Sequence, residues 1–161
     1  MRAVRIDPRH LDRILEAARS AYPDEACGFL FSEAVHAEGP DRTVSGVEAA
    51  ANEFDGERRR RFVITPTELR SAELRGQGRG EVVSGFYHSH PDHPPRPSHF
   101  DAEHAWPWYT YVVVSVHGGD PRGVGAFELD PGSSRFVPCE LRIGAGSPSL
   151  LSPDDPRAAE T

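Results

Sequence analysis

Two histidines and one aspartate in the second half of the chain have a spacing that suits a shared metal ion. His88 and His90 follow the apolar run 82–87, which predicts a β-strand, and the two-residue period of a strand places both imidazoles on one face. Asp101 comes after a proline-rich turn, at the start of a predicted helix. Two neutral imidazoles and one carboxylate suit zinc, and three protein ligands leave a fourth position open for water, as catalysis requires.

Each half of this pattern also has a purely local interpretation. An isolated His-x-His on a strand is more often incidental than metal-binding. Ser98-x-x-Asp101 taken alone resembles a helix capping box, a local device that satisfies free amides at the start of a helix. The spacing by itself leaves both interpretations open.

Taken together, these residues resemble the signature of the JAMM (MPN+) metallopeptidases. The run His88-Ser89-His90, the turn 91–97 and the pair Ser98-x-x-Asp101 match that signature in full. The family also carries an upstream glutamate, commonly in a Pro-x-Glu-x-Cys-Gly context. Residues 23–28 read Pro-Asp-Glu-Ala-Cys-Gly, which places Glu25 at that position.

The resemblance implies a role for each of these residues. His88, His90 and Asp101 would bind one zinc ion per chain. Glu25 would be the general acid/base, and Ser98 would steady the tetrahedral intermediate. The chemistry agrees with this assignment, because zinc lowers the pKa of a bound water towards about 7. Glu25 could then accept the proton and deliver it to the leaving amine.

The elements that must position these residues mix strand and helix patterns. Strands are predicted at 3–6, 26–31, 43–50, 62–64, 81–88, 109–116, 123–129 and 134–143, and helices at 8–22, 65–78 and 98–105. This mixture predicts an α+β fold. The resemblance, which extends to Asn52 and residues 61–66, implies a curved mixed β-sheet flanked by helices. We expect one metallopeptidase domain over residues 1–143 and a disordered tail over 144–161, which is rich in Ser, Pro, Asp and Ala.

Composition restricts the partners and the compartment. The net charge of -7 should repel nucleic acid and anionic membranes, so neither is expected as a partner. No apolar run approaches the length needed to cross a bilayer. The two cysteines, Cys27 and Cys139, are too few for a disulfide framework and lack the spacing of a structural zinc site. We therefore expect a cytoplasmic protein.

The resemblance implies hydrolysis of an amide bond at the C-terminus of a ubiquitin-like protein. Short single-domain members of the family resemble enzymes that act on sulfur-carrier proteins, whose tails end in Gly-Gly. One alternative is a catalytically silent binding scaffold, but the three ligands and Glu25 are all present here. Another is a RadC-like protein, although that branch typically carries Asn where this chain has Ser89. The run Arg58–Arg61 suits either a solvated loop or a docking patch for an acidic partner.

Overall fold

β-Strands and helices are interspersed in the computed structural model, which describes residues 1–59 and 61–144. The strands are β1 (Ala3–Ile6), β2 (Cys27–Glu33), β3 (Arg42–Val44), β4 (Gly46–Ala50), β5 (Glu81–Pro91), β6 (Thr110–His117), β7 (Asp120–Asp130) and β8 (Arg135–Ile143). The α-helices are α1 (Pro8–Ala21), α2 (Pro66–Gln77) and α3 (His99–Glu103), and a short 3₁₀ turn covers Ala34–His36. The predicted α+β class is confirmed.

The strands form one mixed sheet that curls strongly. Its order is β3-β1-β8-β7-β6-β5-β2-β4, so β3 and β4 lie at opposite edges. Only Ser45 separates these two strands in sequence, and the edges of the sheet must therefore come close together. Two register shifts, one at Leu30/Phe31 and one at Ser115/Val116, support the bending, because bulges increase local twist. The expected curved mixed sheet is confirmed.

Helix α1 covers one face of the sheet, and α2 packs on the other. The Asp7 side chain accepts a hydrogen bond from the Arg9 amide at 2.8 Å, and Pro8 occupies the first helical position, so the start of α1 is well capped. The buried residues of α1 contact the apolar face formed by alternate residues of β6. On the opposite face, an aromatic cluster packs against α2; it comprises Phe29, Phe31, Ala72, Val83, Phe86 and Tyr111. The central strands are buried on both faces, which explains their nearly continuous apolar sequences.

Apart from differences of up to three residues at the ends of elements, two predicted strands differ from those observed. The predicted strand 43–50 is two strands, because the Ser45 amide turns to donate to the Phe31 carbonyl at 2.8 Å. The predicted strand 62–64 is wrong. Its Val63 amide donates to the side chain of Asn52 at 3.3 Å instead of joining the sheet. The third predicted helix is shorter at both ends than 98–105.

From position 145 onward, the predicted tail lies outside the described residues. The predicted limits of the domain therefore stay a prediction. Among the helices of the described part of the chain, none is long and apolar enough to cross a membrane.

Gly85 is required where β5 passes β6, and its replacement should destabilise the fold. A Cβ at this position would collide with the backbone carbonyl of Thr110 on β6, and backbone in the middle of a sheet cannot move aside. We expect Gly85→Ala to lower the free energy of unfolding by more than about 2 kcal/mol, measured by urea denaturation. Gly132→Ala is the control, because the atom nearest its new Cβ lies 3.7 Å away. Equal stability of the two variants would contradict this packing.

Candidate metal centre

The pairing of β2 with β5 brings Glu25 to the histidines. The two strands are antiparallel, with Cys27 opposite His88. Glu25 lies two residues before Cys27, and His90 two residues after His88, so the same register places Glu25 opposite His90. The Glu25 Oε1 atom is 3.7 Å from His90 Nε2, and Glu25 is only 3% exposed. Two sequence motifs 63 residues apart thus meet at one point.

The two imidazoles face each other as their spacing predicted. Their Nε2 atoms are 3.1 Å apart, and both side chains are buried. His90 Nδ1 lies 3.0 Å from the Pro94 carbonyl oxygen. Because a carbonyl only accepts, Nδ1 must carry the proton, and in the neutral ring Nε2 then presents a lone pair. The His88 ring is held by stacking on Phe62, with ring centroids 4.5 Å apart.

The capping box at the start of α3 aims the Asp101 carboxylate at the histidines. Ser98 Oγ accepts from the Asp101 amide at 3.1 Å, and Asp101 Oδ2 accepts from the Ser98 amide at 2.7 Å. The same Oδ2 atom lies 3.0 Å from His88 Nε2 and 3.2 Å from His90 Nε2. The local interpretation of Ser98-x-x-Asp101 is therefore right, and the same hydrogen bonds fix the carboxylate beside the imidazoles.

These groups have the donor chemistry of a cation site. A carboxylate oxygen and two imidazole nitrogens form a triangle with edges of 3.0 to 3.2 Å. Ligand atoms around tetrahedral zinc, with bonds of about 2.0–2.1 Å, are about 3.3 Å apart. Glu25, His88 and His90 also form a buried group whose ligand atoms lie within 4.8 Å of one another and could hold a metal ion. The histidine pair thus has two carboxylates close to it.

Burial sets the protonation states of the site. Burial raises the pKa of Glu25 to about 9, with help from the negative charge of Asp101 and against the charge of Arg61. Burial also lowers the pKa of His88, against the opposing effect of Asp101. Burial alone would raise the pKa of Asp101, but the charge of His88 and the close contacts of both histidines and the Ser98 amide with the carboxylate lower it well below its usual range. A neutral imidazole and an ionised aspartate are the forms that bind metal.

Two cavities adjoin this centre. A cleft of about 620 Å³ is lined by Glu25, His90 and Ser98, together with Arg59, Arg61 and Arg96. An apolar pocket of about 180 Å³ lies against His88 and Asp101, and most of its remaining wall is aromatic or aliphatic. The cleft can admit a polar chain, whereas the apolar pocket keeps the back of the site in a low-dielectric environment, which strengthens its electrostatic interactions.

Two further residues hold the backbone of Glu25 in place. Ser89 points away from its histidine neighbours, and its Oγ accepts from the Ala26 amide at 2.8 Å. The Asn52 amide group donates to the carbonyls of Glu25 and Arg61, at 3.3 and 2.9 Å. Sequence analysis assigned neither role. A serine between two candidate ligands on a buried strand was the available signal, because a buried hydroxyl needs a partner.

His99 and His104 pair with groups outside the centre, and neither cysteine is suited to nucleophilic attack. His99 is exposed and pairs with Glu103 at 3.1 Å, and His104 donates to the Phe100 carbonyl at 2.9 Å. Cys27 is buried, and burial raises the pKa of its thiol to about 12, which makes it a poor nucleophile. The same applies to Cys139, whose pKa is also raised to about 12 by burial.

Comparison with solved structures gives the same fold over nearly the whole chain. A solution structure of a Desulfitobacterium hafniense protein superposes with a TM-score of 0.75 at 27% identity, covering 89% of this chain and 94% of that one. A solution structure of a Salinibacter ruber protein gives a TM-score of 0.67 at 36% identity, with 94% and 96% of the two chains covered.

Sequence comparison identifies the family. The chain is 34% identical over 109 residues to a desampylase of Haloferax volcanii, an alignment that spans 67% of this chain and 74% of the relative. Residues 7–130 match the family described as prokaryotic homologs of the JAB domain. That match spans more than half of the chain, and it includes the entire Glu25, His88, His90, Ser98 and Asp101 constellation described above. The protein therefore belongs to the prokaryotic JAB domain family.

Proposed function

We propose that this protein is a zinc-dependent peptidase or isopeptidase that cleaves the amide bond after the C-terminal Gly-Gly of a ubiquitin-like or sulfur-carrier protein. The observation that carries the proposal is the convergence of two imidazoles and two carboxylates, all buried, beside an open cleft. Membership in the JAB family and similarity to a protein named desampylase support a hydrolase of this kind. Two free, buried cysteines suit action in the reducing cytoplasm.

His88, His90 and Asp101 are the proposed zinc ligands. Their three facing atoms are nearly equidistant, whereas Glu25 Oε1 lies farther out, at 3.7 Å from His90 Nε2. Zinc supplies Lewis acidity when bound, lowering the pKa of water and polarising a carbonyl oxygen. A set of three protein ligands leaves room for a reacting group in the fourth position.

Glu25 is proposed to move the proton. Its Oε2 atom is buried and has no hydrogen-bond partner among the described residues, so this oxygen keeps a lone pair that can take a proton. Its raised pKa favours the protonated form that can give a proton to the leaving nitrogen, and a bound cation would lower that pKa so that the carboxylate could first take the proton from water. The proton then passes to the leaving nitrogen, which prevents that nitrogen from departing as an unstable anion.

Ser98 is proposed to stabilise the developing oxyanion. Its hydroxyl oxygen accepts from the Asp101 amide, so the hydroxyl proton stays available for donation. The side chain lines the cleft beside His90, where the scissile carbonyl must lie. The capping box holds Ser98 in position before substrate arrives, and a preoriented donor stabilises charge most effectively.

The recessed site explains a preference for Gly-Gly. Glu25 and His90 are 3% and 7% exposed, so a scissile bond reaches them only in an extended and thin segment of chain. Glycine has no side chain, and a flexible Gly-Gly tail can approach backbone and ligands closely. A residue with a branched side chain immediately before the scissile bond should collide with the cleft.

The ligand assignment predicts that Asp101→Asn loses zinc. The amide oxygen can still accept from the Ser98 amide and keep the helix start, but the negative charge that binds the cation is gone. Elemental analysis after dialysis should find one zinc per wild-type chain and much less than one in the variant. Glu103→Gln, an exposed change on the same helix, is the control. A variant with full zinc and full activity would exclude Asp101 as a ligand.

Glu25→Gln should separate proton transfer from metal binding. We expect its zinc content to match the wild type while kcat falls about a hundredfold or more, because glutamine cannot carry the proton. Elemental analysis and single-turnover kinetics on the same sample make the comparison direct. Loss of zinc from this variant would instead place Glu25 among the ligands.

The substrate proposal is tested with two versions of a carrier protein. One bears a single extra residue after Gly-Gly, and in the other the second glycine is replaced by valine. We expect the zinc-loaded enzyme to release the extra residue from the first at least about a hundredfold faster, since the valine side chain collides near the reacting carbonyl. Intact mass spectrometry follows both reactions. Equal cleavage would favour a different peptidase role, and cleavage of neither would favour a binding scaffold.

A further inference from the structure

The cleft beside the candidate metal centre has a positively charged rim, although the protein as a whole is acidic. The chain carries a net charge of -7, yet three arginines and one glutamate are the charged residues among those that line the cleft. Nine arginines elsewhere in the described residues lie within 4.0 Å of a carboxylate. Arg59 and Arg96 are exposed and make no such pair among the described residues. Their charge is therefore available to an anionic group that enters the cleft.

Arg59 and Arg96 belong to two different segments that line the cleft, and each segment is tied by backbone contacts to the candidate site. The Glu25 amide donates to the Arg58 carbonyl at 2.7 Å, which fixes the segment that carries Arg59 next to Glu25. In the other segment, the Arg96 amide donates a hydrogen bond to the Pro94 carbonyl at 2.8 Å. The same carbonyl accepts the hydrogen bond from His90 Nδ1. An anion held between the two arginines would lie close to the bond being cleaved.

Arg61 has a different environment from these two. Its guanidinium lies over the Phe100 ring, 4.5 Å from the centroid, and its charge lowers the pKa of Glu25. A change at Arg61 would disturb both the α3 segment and the proposed proton carrier. It is therefore unsuitable for separating substrate recognition from catalysis.

The direction of proton transfer decides which part of the substrate meets the arginines. In the proposed reaction the carbonyl carbon of the second glycine gains the water oxygen, the C–N bond breaks, and Glu25 gives its proton to the nitrogen. The leaving group must then lie on the Glu25 side of the cleft, next to Arg59. If the leaving group is an amino acid, its carboxylate is two bonds from that nitrogen. If it is a lysine ε-amine, an uncharged alkyl chain occupies the same space.

We propose that Arg59 and Arg96 bind the free α-carboxylate of the residue that leaves, so that the enzyme preferentially releases a single C-terminal amino acid from the carrier. This inference rests on the proposed peptidase function and specifies its leaving group. Guanidinium groups bind carboxylates through charge-assisted and often bidentate hydrogen bonds. An amide or an alkyl chain at that position would receive no such contact.

The test compares three substrates built on one carrier protein. The first ends in Gly-Gly followed by alanine with a free carboxylate, the second has the same alanine as a C-terminal amide, and the third joins Gly-Gly to a lysine ε-amine of a peptide. We expect wild-type kcat/KM for the free acid to exceed those of the other two by about tenfold or more. In the double variant Arg59→Gln/Arg96→Gln, the ratio of kcat/KM for the free acid to kcat/KM for the amide should fall to about twofold or less. Raising the ionic strength should also reduce the wild-type ratio, because both arginines are exposed.

Arg13→Gln is the matched control, because it removes the same charge from an exposed position on α1, away from the cleft. It should keep the wild-type ratio. If wild type cleaves acid and amide equally well, or if the double variant keeps the full preference, the inference is wrong while the peptidase function stands. An equal loss for all three substrates in the double variant would also overturn it and indicate a docking patch for the carrier body. Failure of zinc-loaded wild type to cleave any of the three would overturn both the inference and the proposed function.

Discussion

The antiparallel pairing of β2 with β5 is the constraint on which the candidate site depends. It fixes Cys27 opposite His88, and with that register Glu25 reaches His90 from a point 65 residues earlier in the chain. A slip of one residue would turn Glu25 to the other face of the sheet, away from both histidines. Ser89 stabilises this register, because its side chain and its backbone amide both form hydrogen bonds with the backbone of Ala26. The residue between two proposed ligands thus contributes by holding the neighbouring strand.

The same site is electrostatically costly without a cation. Two carboxylates and two imidazoles meet in a region where burial excludes water, and only part of their hydrogen-bonding capacity is satisfied among the described residues. Three sets of contacts hold these groups in place: the register of β2 with β5, the capping box of α3, and the hydrogen bonds of Asn52 in the loop before α2. A divalent cation would offset the repulsion, which is why metal affinity and fold stability should be linked in this protein.

Curvature of the sheet gives the site its surroundings. Because β3 and β4 are joined by a single residue yet lie at opposite edges, the sheet wraps around, and α1 and α2 cover different faces of it. Residues 51–59 and 61–65 contribute to these surroundings, with Phe62 stacked on His88 and with Arg59 and Arg61 at the cleft. An apolar wall and a positive rim thus both adjoin the proposed ligands. Under the proposed function, this asymmetry would give the protein a physical basis for distinguishing one leaving group from another.

Local patterns in the sequence were enough to predict the elements with strong signals, and the family resemblance pointed to the residues that converge. The period of β5, the cap and proline that start α1, and the Ser98-x-x-Asp101 capping box all depend on residues close together in the chain, so their patterns were sufficient. The meeting of Glu25 with His88 and His90 was expected only through family resemblance, because spacing cannot give the register of distant strands. Tertiary structure alone decided that residues 62–64 leave the sheet to bond with Asn52, that Ser89 secures Glu25, and that Arg59 and Arg96 face one cleft. These features come from contacts between residues far apart in sequence, whose energies depend on how the whole sheet curls and which groups it buries.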